Sequence, residues 1–187
     1  MRKLVLVFMV LAFCAGVSGA QETVPSFDVF GGYSYLNTQD IVPVLGIDAS
    51  GHGWEAAATG NVNNWFGLTG DISGHYSDFL GVNVRDYNFL FGPTVSYRMP
   101  KLTPFGHTLF GFSRASVDLG VLAPLGFSAT DTAFAMALGG GADWHFAEKW
   151  SVRVAQLDYL LTRFSGNTQN NLRFSTGLVF RFGNKSF

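Results

Sequence analysis

The segment Leu172–Phe182 (LRFSTGLVFRF) constrains this chain more than any other stretch. In an extended chain, side chains alternate between two faces with period 2. Leu172, Phe174, Thr176, Leu178, Phe180 and Phe182 then share one face, and Arg173, Ser175, Gly177, Val179 and Arg181 share the other. One face is apolar and aromatic; the other is small, polar and cationic. Alternation alone does not say whether the apolar face meets a protein core or lipid, because a soluble sandwich also has one apolar face.

The ends and the composition narrow the choice. Arg2 and Lys3 precede an apolar run, Leu4–Ala15, and Ser18-Gly19-Ala20 offers a small-x-small cleavage site before Gln21. Residues 1–20 therefore read as a secretory signal peptide and residues 21–187 as one domain. Phe13 is bulky where a lipoprotein signal needs a small residue, so Cys14 is not read as a lipid anchor. Removal of residues 1–20 leaves 10 cations against 13 acids, a net charge of −3, which argues against a nucleic-acid partner. The only cysteine leaves with the signal, so no disulfide framework is expected. Charged residues are 13% of the chain, about half the usual ~25%, and mean hydropathy is positive, yet no mature segment is long and apolar enough for a spanning helix. A large buried core or a lipid-facing β-barrel remains.

Eight alternating segments recur: Ser26–Leu36, Gly53–Val62, Trp65–Tyr76, Asp86–Arg98, Thr103–Arg114, Thr132–Trp144, Trp150–Thr162 and Leu172–Phe182. Two are irregular. In the fifth, Phe105 and Leu109 have one parity while Phe110 and Phe112 have the other, which a bulge would reconcile. The seventh begins with Trp150, Val152 and Val154 on one side, then slips to Leu157, Tyr159 and Leu161. Connections alternate between longer loops (Asn37–His52, Ser77–Arg85, Ala115–Asp131, Arg163–Asn171) and short turns (near Asn63-Asn64, Met99–Leu102, His145–Lys149). That layout is expected of an all-β, eight-stranded, antiparallel up-and-down transmembrane barrel with both termini on the short-turn side.

Lipid is favoured for two reasons. The face opposite the apolar one carries Asp28, Glu55, Asp71, Arg98, Asp143, Asp158, Arg173 and Arg181 among small residues, the reverse of a soluble barrel's interior. Aromatics gather toward segment ends (Trp65, Tyr76, Tyr87, Tyr97, Trp144, Trp150, Phe180, Phe182), as in interfacial girdles. Flipping the last strand by one residue would put Arg173 and Arg181 into lipid and withdraw Phe174, Leu178 and Phe180 from it. A cation costs about 2–4 kcal/mol at the midplane and ~0–1 near an interface. Each large apolar side chain withdrawn adds roughly 1.5–3 kcal/mol. Eight strands enclose only enough space for side chains. Glu55, Asp71, Arg98, Arg153, Asp158, Arg173 and Arg181 are therefore expected to be structural lumen residues that pair across the interior as a polar plug.

On these residues the chain resembles the small eight-stranded outer-membrane barrels of Gram-negative bacteria, OmpA/OmpX-like and opacity-protein-like. The resemblance is carried by Phe27–Tyr35 (FDVFGGYSY), by Trp65-Phe66-Gly67-Leu68-x-x-Asp71, and by the close, Arg173-Phe174-Ser175-x-Gly177-x-x-Phe180-x-Phe182. It implies that Gly177, Phe180 and Phe182 form the outer-membrane assembly signal. Gly183–Phe187 follow that signal, with Phe187 on the wrong parity to extend it. The implied localisation is the cell outer membrane. The implied partners are outer-membrane lipid, lipopolysaccharide and the barrel assembly machinery, with the protein a monomer.

Chemistry is sparse. His75-Tyr76-Ser77 resembles the His-x-Ser of lipid A deacylases, in which histidine serves as base for the serine. Asp78 stands where that motif has Asn. His52, His75, His107 and His145 lie in different segments without ligand spacing, so no metal or cofactor is expected. Gly139-Gly140-Gly141 lies within a strand and lacks a following Lys-Ser/Thr, so it reads as tight packing or a bend in the wall. Asp40–Ile47 and Val117–Phe127 are apolar for loops, which makes loops 37–52 and 115–131 candidates for contact with a surface ligand. The expected function is a non-enzymatic barrel for envelope structure or surface interaction. The alternatives are a lipid A-modifying enzyme using His75 and Ser77, or a narrow channel for small hydrophobic solutes.

Overall fold

The computed structural model describes residues 23–42, 47–79, 82–118, 128–164 and 167–186. The signal segment and Phe187 lie outside the described residues. Eight strands form the described chain: β1 (Thr23–Val42), β2 (Ile47–Asn61), β3 (Phe66–Phe79), β4 (Val82–Ser96), β5 (Leu102–Asp118), β6 (Ser128–His145), β7 (Trp150–Phe164) and β8 (Asn167–Ser186). Each pairs antiparallel with its sequence neighbours, and β8 closes on β1. Closure leaves no free edge, so backbone donors and acceptors are satisfied without water, as a lipid-embedded sheet requires. Thr23 pairs with Ser186, which puts the first and last described residues of the barrel at the short-turn end.

Three short turns close that end. At residues 62–65, Asn63 Oδ1 accepts from the backbone N–H of Trp65 and of Phe66 at 3.0 and 2.7 Å, an Asx turn. At 97–101, the Met99 N–H donates to the Leu102 carbonyl at 3.0 Å. At 146–149, Ala147 and Trp150 exchange backbone hydrogen bonds. Gly183 adopts a φ of 71°, a left-handed conformation that favours glycine, and lets β8 continue its pairing with β1 as far as Ser186.

At the opposite end the strands run further than alternation suggests. The expected loop Asn37–His52 is largely ladder, with β1 reaching Val42 and β2 resuming at Ile47. Likewise β5 reaches Asp118 and β6 resumes at Ser128. Backbone pairing continues where the side-chain pattern fades, because a ladder needs only N–H and C=O groups. A strand that has left the bilayer no longer needs one apolar face.

The wall has two faces throughout. Phe27, Leu68, Ile72, Phe89, Phe91, Phe110, Phe112, Phe134, Leu138, Leu157 and Leu178 are exposed on the outside. Around the turn end an aromatic ring forms: Phe27 stacks on Phe182, Phe182 on Phe180, and Trp150 packs on Phe180. The outward tyrosines Tyr87, on β4, and Tyr97, just past its end, bound this band. Their separation of ten residues, tilted, spans about 25 Å, the height of a barrel's apolar belt.

The two irregular segments resolve differently. No register shift occurs between β5 and β6, so the expected bulge in β5 is absent. Phe105 and Leu109 face the lumen, with Leu109 fully buried, while Phe110 and Phe112 face out. In β7 the slip is a bulge: Ala142 pairs with Ala155, whereas Asp143 pairs with Arg153. Val154 and Leu157 both face out, and Arg153 and Gln156 both face in.

Candidate functional site in the barrel lumen

Inward parity places a titratable or polar side chain on nearly every strand. Arg173 is the centre and is completely buried. Its guanidinium forks onto Asp71 of β3 (Nη1–Oδ1 2.9 Å, Nη2–Oδ2 3.2 Å). It also donates twice to Asp158 Oδ2 of β7, at 3.0 Å from Nε and 2.7 Å from Nη2. Glu55 Oε2 lies 3.5 Å from Nε, and Ser73 Oγ accepts from Nη1 at 3.1 Å. Glu55 in turn accepts from Gln156 Nε2 at 2.9 Å and from Ser175 Oγ. Planar bidentate pairing of this kind satisfies carboxylates that burial would otherwise penalise.

His107 completes this layer from β5. Its Nε2 lies 2.8 Å from Asp158 Oδ1, although β6 runs between the two strands. Gly139 sits in register with both residues. A Cβ there would stand 2.1 Å from Asp158 Oδ1 and 2.2 Å from the Leu157 carbonyl oxygen. The glycine tract is therefore tight packing, as its place in a strand suggests.

Nearer the turn end lies a second cation. Arg153 donates from Nε and Nη2 to Asp143 at 2.8 and 3.2 Å, and from Nη1 to Gln156 at 2.6 Å. Its Cζ is 4.2 Å from the Phe30 ring centroid and 4.3 Å from that of Phe105, a cation held between two aromatic faces. Leu36, Leu90, Leu109, Ala135, Ala137 and Leu160 form a buried apolar cluster in the same interior. The lumen is thus not uniformly small and polar. Phe30 has the parity of Asp28, the one signal that could have found it.

Of the expected lumen residues, Glu55, Asp71, Asp158 and Arg173 meet in one network, and Arg153 joins it through Gln156. Arg98 and Arg181 stand at the mouth instead. Arg98 pairs with Asp28 at 3.2 Å and donates from Nε to the Asn64 carbonyl. Arg181 departs from the expected pairing of charges: among the described residues it has no ion pair and donates to the carbonyls of Ala147 and Glu148. With His145 and Thr103 these arginines line an open cavity of about 200 Å³. From the mouth inward past Arg153 to Glu55 and Asp71 the space narrows to about 30 Å³.

The geometry does not bring His75 and Ser77 together as a catalytic pair. His75 Nε2 is hydrogen-bonded to Ser34 Oγ at 2.9 Å, and Ser77 Oγ donates to the Ser50 carbonyl at 2.8 Å. Both side chains face inward, away from lipid. Among the described residues no group of three His, Cys, Asp or Glu side chains is placed to hold a metal. Of the proposed assembly signal, Gly177 lies against Gly32 across the β1–β8 pair, and Phe180 and Phe182 belong to the aromatic ring.

Residues 5–182 match the family model described as outer membrane protein beta-barrel domain. Among solved structures, Neisserial surface protein A is similar at 16% identity and a TM-score of 0.69, covering 84% of this chain and 97% of that one. Ail, the attachment invasion locus protein of Yersinia pestis, is 14% identical with a TM-score of 0.57, covering 84% and 99%. The N-terminal β-barrel domain of Pseudomonas aeruginosa OprF is 9% identical with a TM-score of 0.53, covering 85% and 100%. No curated protein matches the sequence. The closed barrel, its lipid-facing band and the family match agree, and the chain belongs to the outer-membrane β-barrel family of Gram-negative bacteria, an outer-membrane protein.

Proposed function

We propose that this chain is a non-enzymatic, non-conducting scaffold of the outer membrane that serves envelope structure and surface interaction. The observation that carries the reading is Arg173, 0% exposed and shared by three carboxylates inside the lumen. A guanidinium fixed in this way bars a pore, and its three carboxylates put charge across the route that a hydrophobic solute would take. Neither His75 nor Ser77 has a partner that would activate it. What the fold offers instead is a rigid wall whose strands rise past the aromatic band; of the candidate contact segments 37–52 and 115–131, residues 43–46 and 119–127 lie outside the described residues. Two structures sharing the fold are named for the surface and for attachment. In this reading the monomer contacts lipopolysaccharide and a surface ligand, and Gly177, Phe180 and Phe182 address it to the assembly machinery. Purified protein in planar bilayers should give no large, stable single-channel steps; such steps would overturn the scaffold reading.

A further inference from the structure

The short-turn end of the barrel, which faces the periplasm, holds cationic charge that the central plug does not use. Here β1 and β8 run past their outer neighbours. The β1–β2 pairing ends at Phe27–Gly60 and the β7–β8 pairing at Trp150–Phe180, whereas Thr23–Pro25 go on pairing with Asn184–Ser186. This two-stranded ribbon is tied back to the wall: Asn61 Nδ2 donates to the Pro25 carbonyl at 2.9 Å, and Lys185 Nζ to the Asn61 carbonyl at 3.4 Å. Val24 and Pro25 thereby form one side of the open cavity of about 200 Å³, and Met99 and Pro100 another. Arg98, Arg181, Thr103 and His145 complete a lining that contains no carboxylate.

Both guanidiniums are held in place. Arg98 donates from Nε to the Asn64 carbonyl and from Nη2 to Asp28 Oδ2, each at 3.2 Å. Arg181 donates from Nη2 to the carbonyls of Ala147 and Glu148 at 3.3 and 3.0 Å. The acids nearby do not offset both cations. Asp28 stands opposite Arg181 in the β1–β8 register, yet its Oδ2 serves Arg98 and Asn61, and no ion pair joins it to Arg181. Asp143 is held by two nitrogens of Arg153. Glu148 is exposed and, among the described residues, forms no ion pair. Arg181 Nε is buried without an acceptor, and Asp28 Oδ1 without a donor. A buried charged donor left in this way calls for a partner from outside the chain.

A guanidinium presents a planar fork that matches a carboxylate, and donors already fixed lose little freedom when a ligand arrives. The apolar side chains across the cavity suit a carboxylate carried on a small apolar group rather than a bare inorganic anion. The narrowing toward Arg153 keeps such a ligand at the mouth.

We propose that this mouth is a binding site for a small organic carboxylate from the periplasm, with the carboxylate between Arg98 and Arg181 and the apolar group against Val24, Pro25, Met99 and Pro100. The site lies on the far side of the plug from the exterior, so it goes beyond the surface contact proposed above and does not depend on it.

The test titrates N-acetyl-alanine into the barrel in phosphatidylcholine nanodiscs and follows the arginine Nε–Hε signals by NMR. The Arg181 signal should move and saturate. Read from the Arg98 signal, Arg181→Gln should weaken binding about tenfold, the loss of one charge-assisted pair. Arg163→Gln, which removes an exposed arginine at the opposite end, should match the wild type. The uncharged N-methylamide of the probe should not bind, and acetate, which lacks the apolar group, should bind several-fold more weakly. Folding is checked by the gel shift of unboiled samples. If Arg181→Gln does not fold, Arg181→Lys, which keeps the charge and loses the fork, carries the comparison with an intermediate loss. Equal binding of acid and amide, or equal binding by the wild type and the Arg181 variant, would overturn the site. Equal binding of acetate would overturn the role of the apolar side. Movement of the Arg181 signal in ligand-free Glu22→Gln would show that the chain's own Glu22, which lies outside the described residues, fills the cavity, and would overturn an external ligand. Bilayer conductance tests the scaffold role separately.

Discussion

Arg173 on β8 and Asp71 on β3 meet through two nearly parallel N–H···O contacts of 2.9 and 3.2 Å, bridging strands that are not neighbours in the wall. The pair ties opposite sides of the barrel together, and Asp158 and Glu55 depend on the same guanidinium.

Removing that cation should therefore destabilise the barrel strongly. Arg173→Met leaves three buried carboxylates without their cation, a loss on the order of 3–5 kcal/mol. Urea unfolding in lipid vesicles measures it. Arg173→Lys keeps the charge but loses the fork, and should fall between the wild type and Arg173→Met.

Gly139→Ala should separate His107 from Asp158, because the new Cβ would collide with Asp158 and with the backbone of β7. Overpacking of this kind costs about 1–3 kcal/mol. Gly70→Ala is the control, since a Cβ there meets nothing within 4 Å. A shared unfolding midpoint for the two variants would show that the His107–Asp158 bond contributes nothing.

Depth should grade the outer wall. Leu138 lies in the apolar band and Leu172 near its upper edge; both are exposed. Leu138→Arg should cost about 2–4 kcal/mol and Leu172→Arg about 0–1. Equal losses, read from vesicle unfolding, would contradict a bilayer centred between the two aromatic levels.

Ser77→Ala should leave the acylation pattern of lipid A unchanged in cells expressing the protein. Ser77 donates to a backbone carbonyl and His75 is bonded to Ser34, so neither is poised for acyl transfer. A change in acyl-chain number by mass spectrometry would restore the enzymatic reading.

Lipid-facing parity was legible wherever alternation was clean, as in β3, β4, β6 and β8. It misled in β5, where Phe105 and Leu109 suggested a bulge. Those side chains are lumen residues: Phe105 supports Arg153, and Leu109 joins the apolar cluster. The slip in β7 was legible because two runs of outward residues with opposite parity cannot share a regular strand, and the register shows it to be a bulge.

The sequence by itself determined the strand number, the two faces and the membrane solvent, because period-2 alternation is a local property of an extended backbone. Only the tertiary structure decided which inward groups meet. Arg173 finds Asp71 at a separation of 102 residues, and His107 reaches Asp158 over Gly139, because closure and stagger bring those positions to one level. No local pattern encodes that level. It follows from how eight strands tilt when their last hydrogen bonds are made to the first.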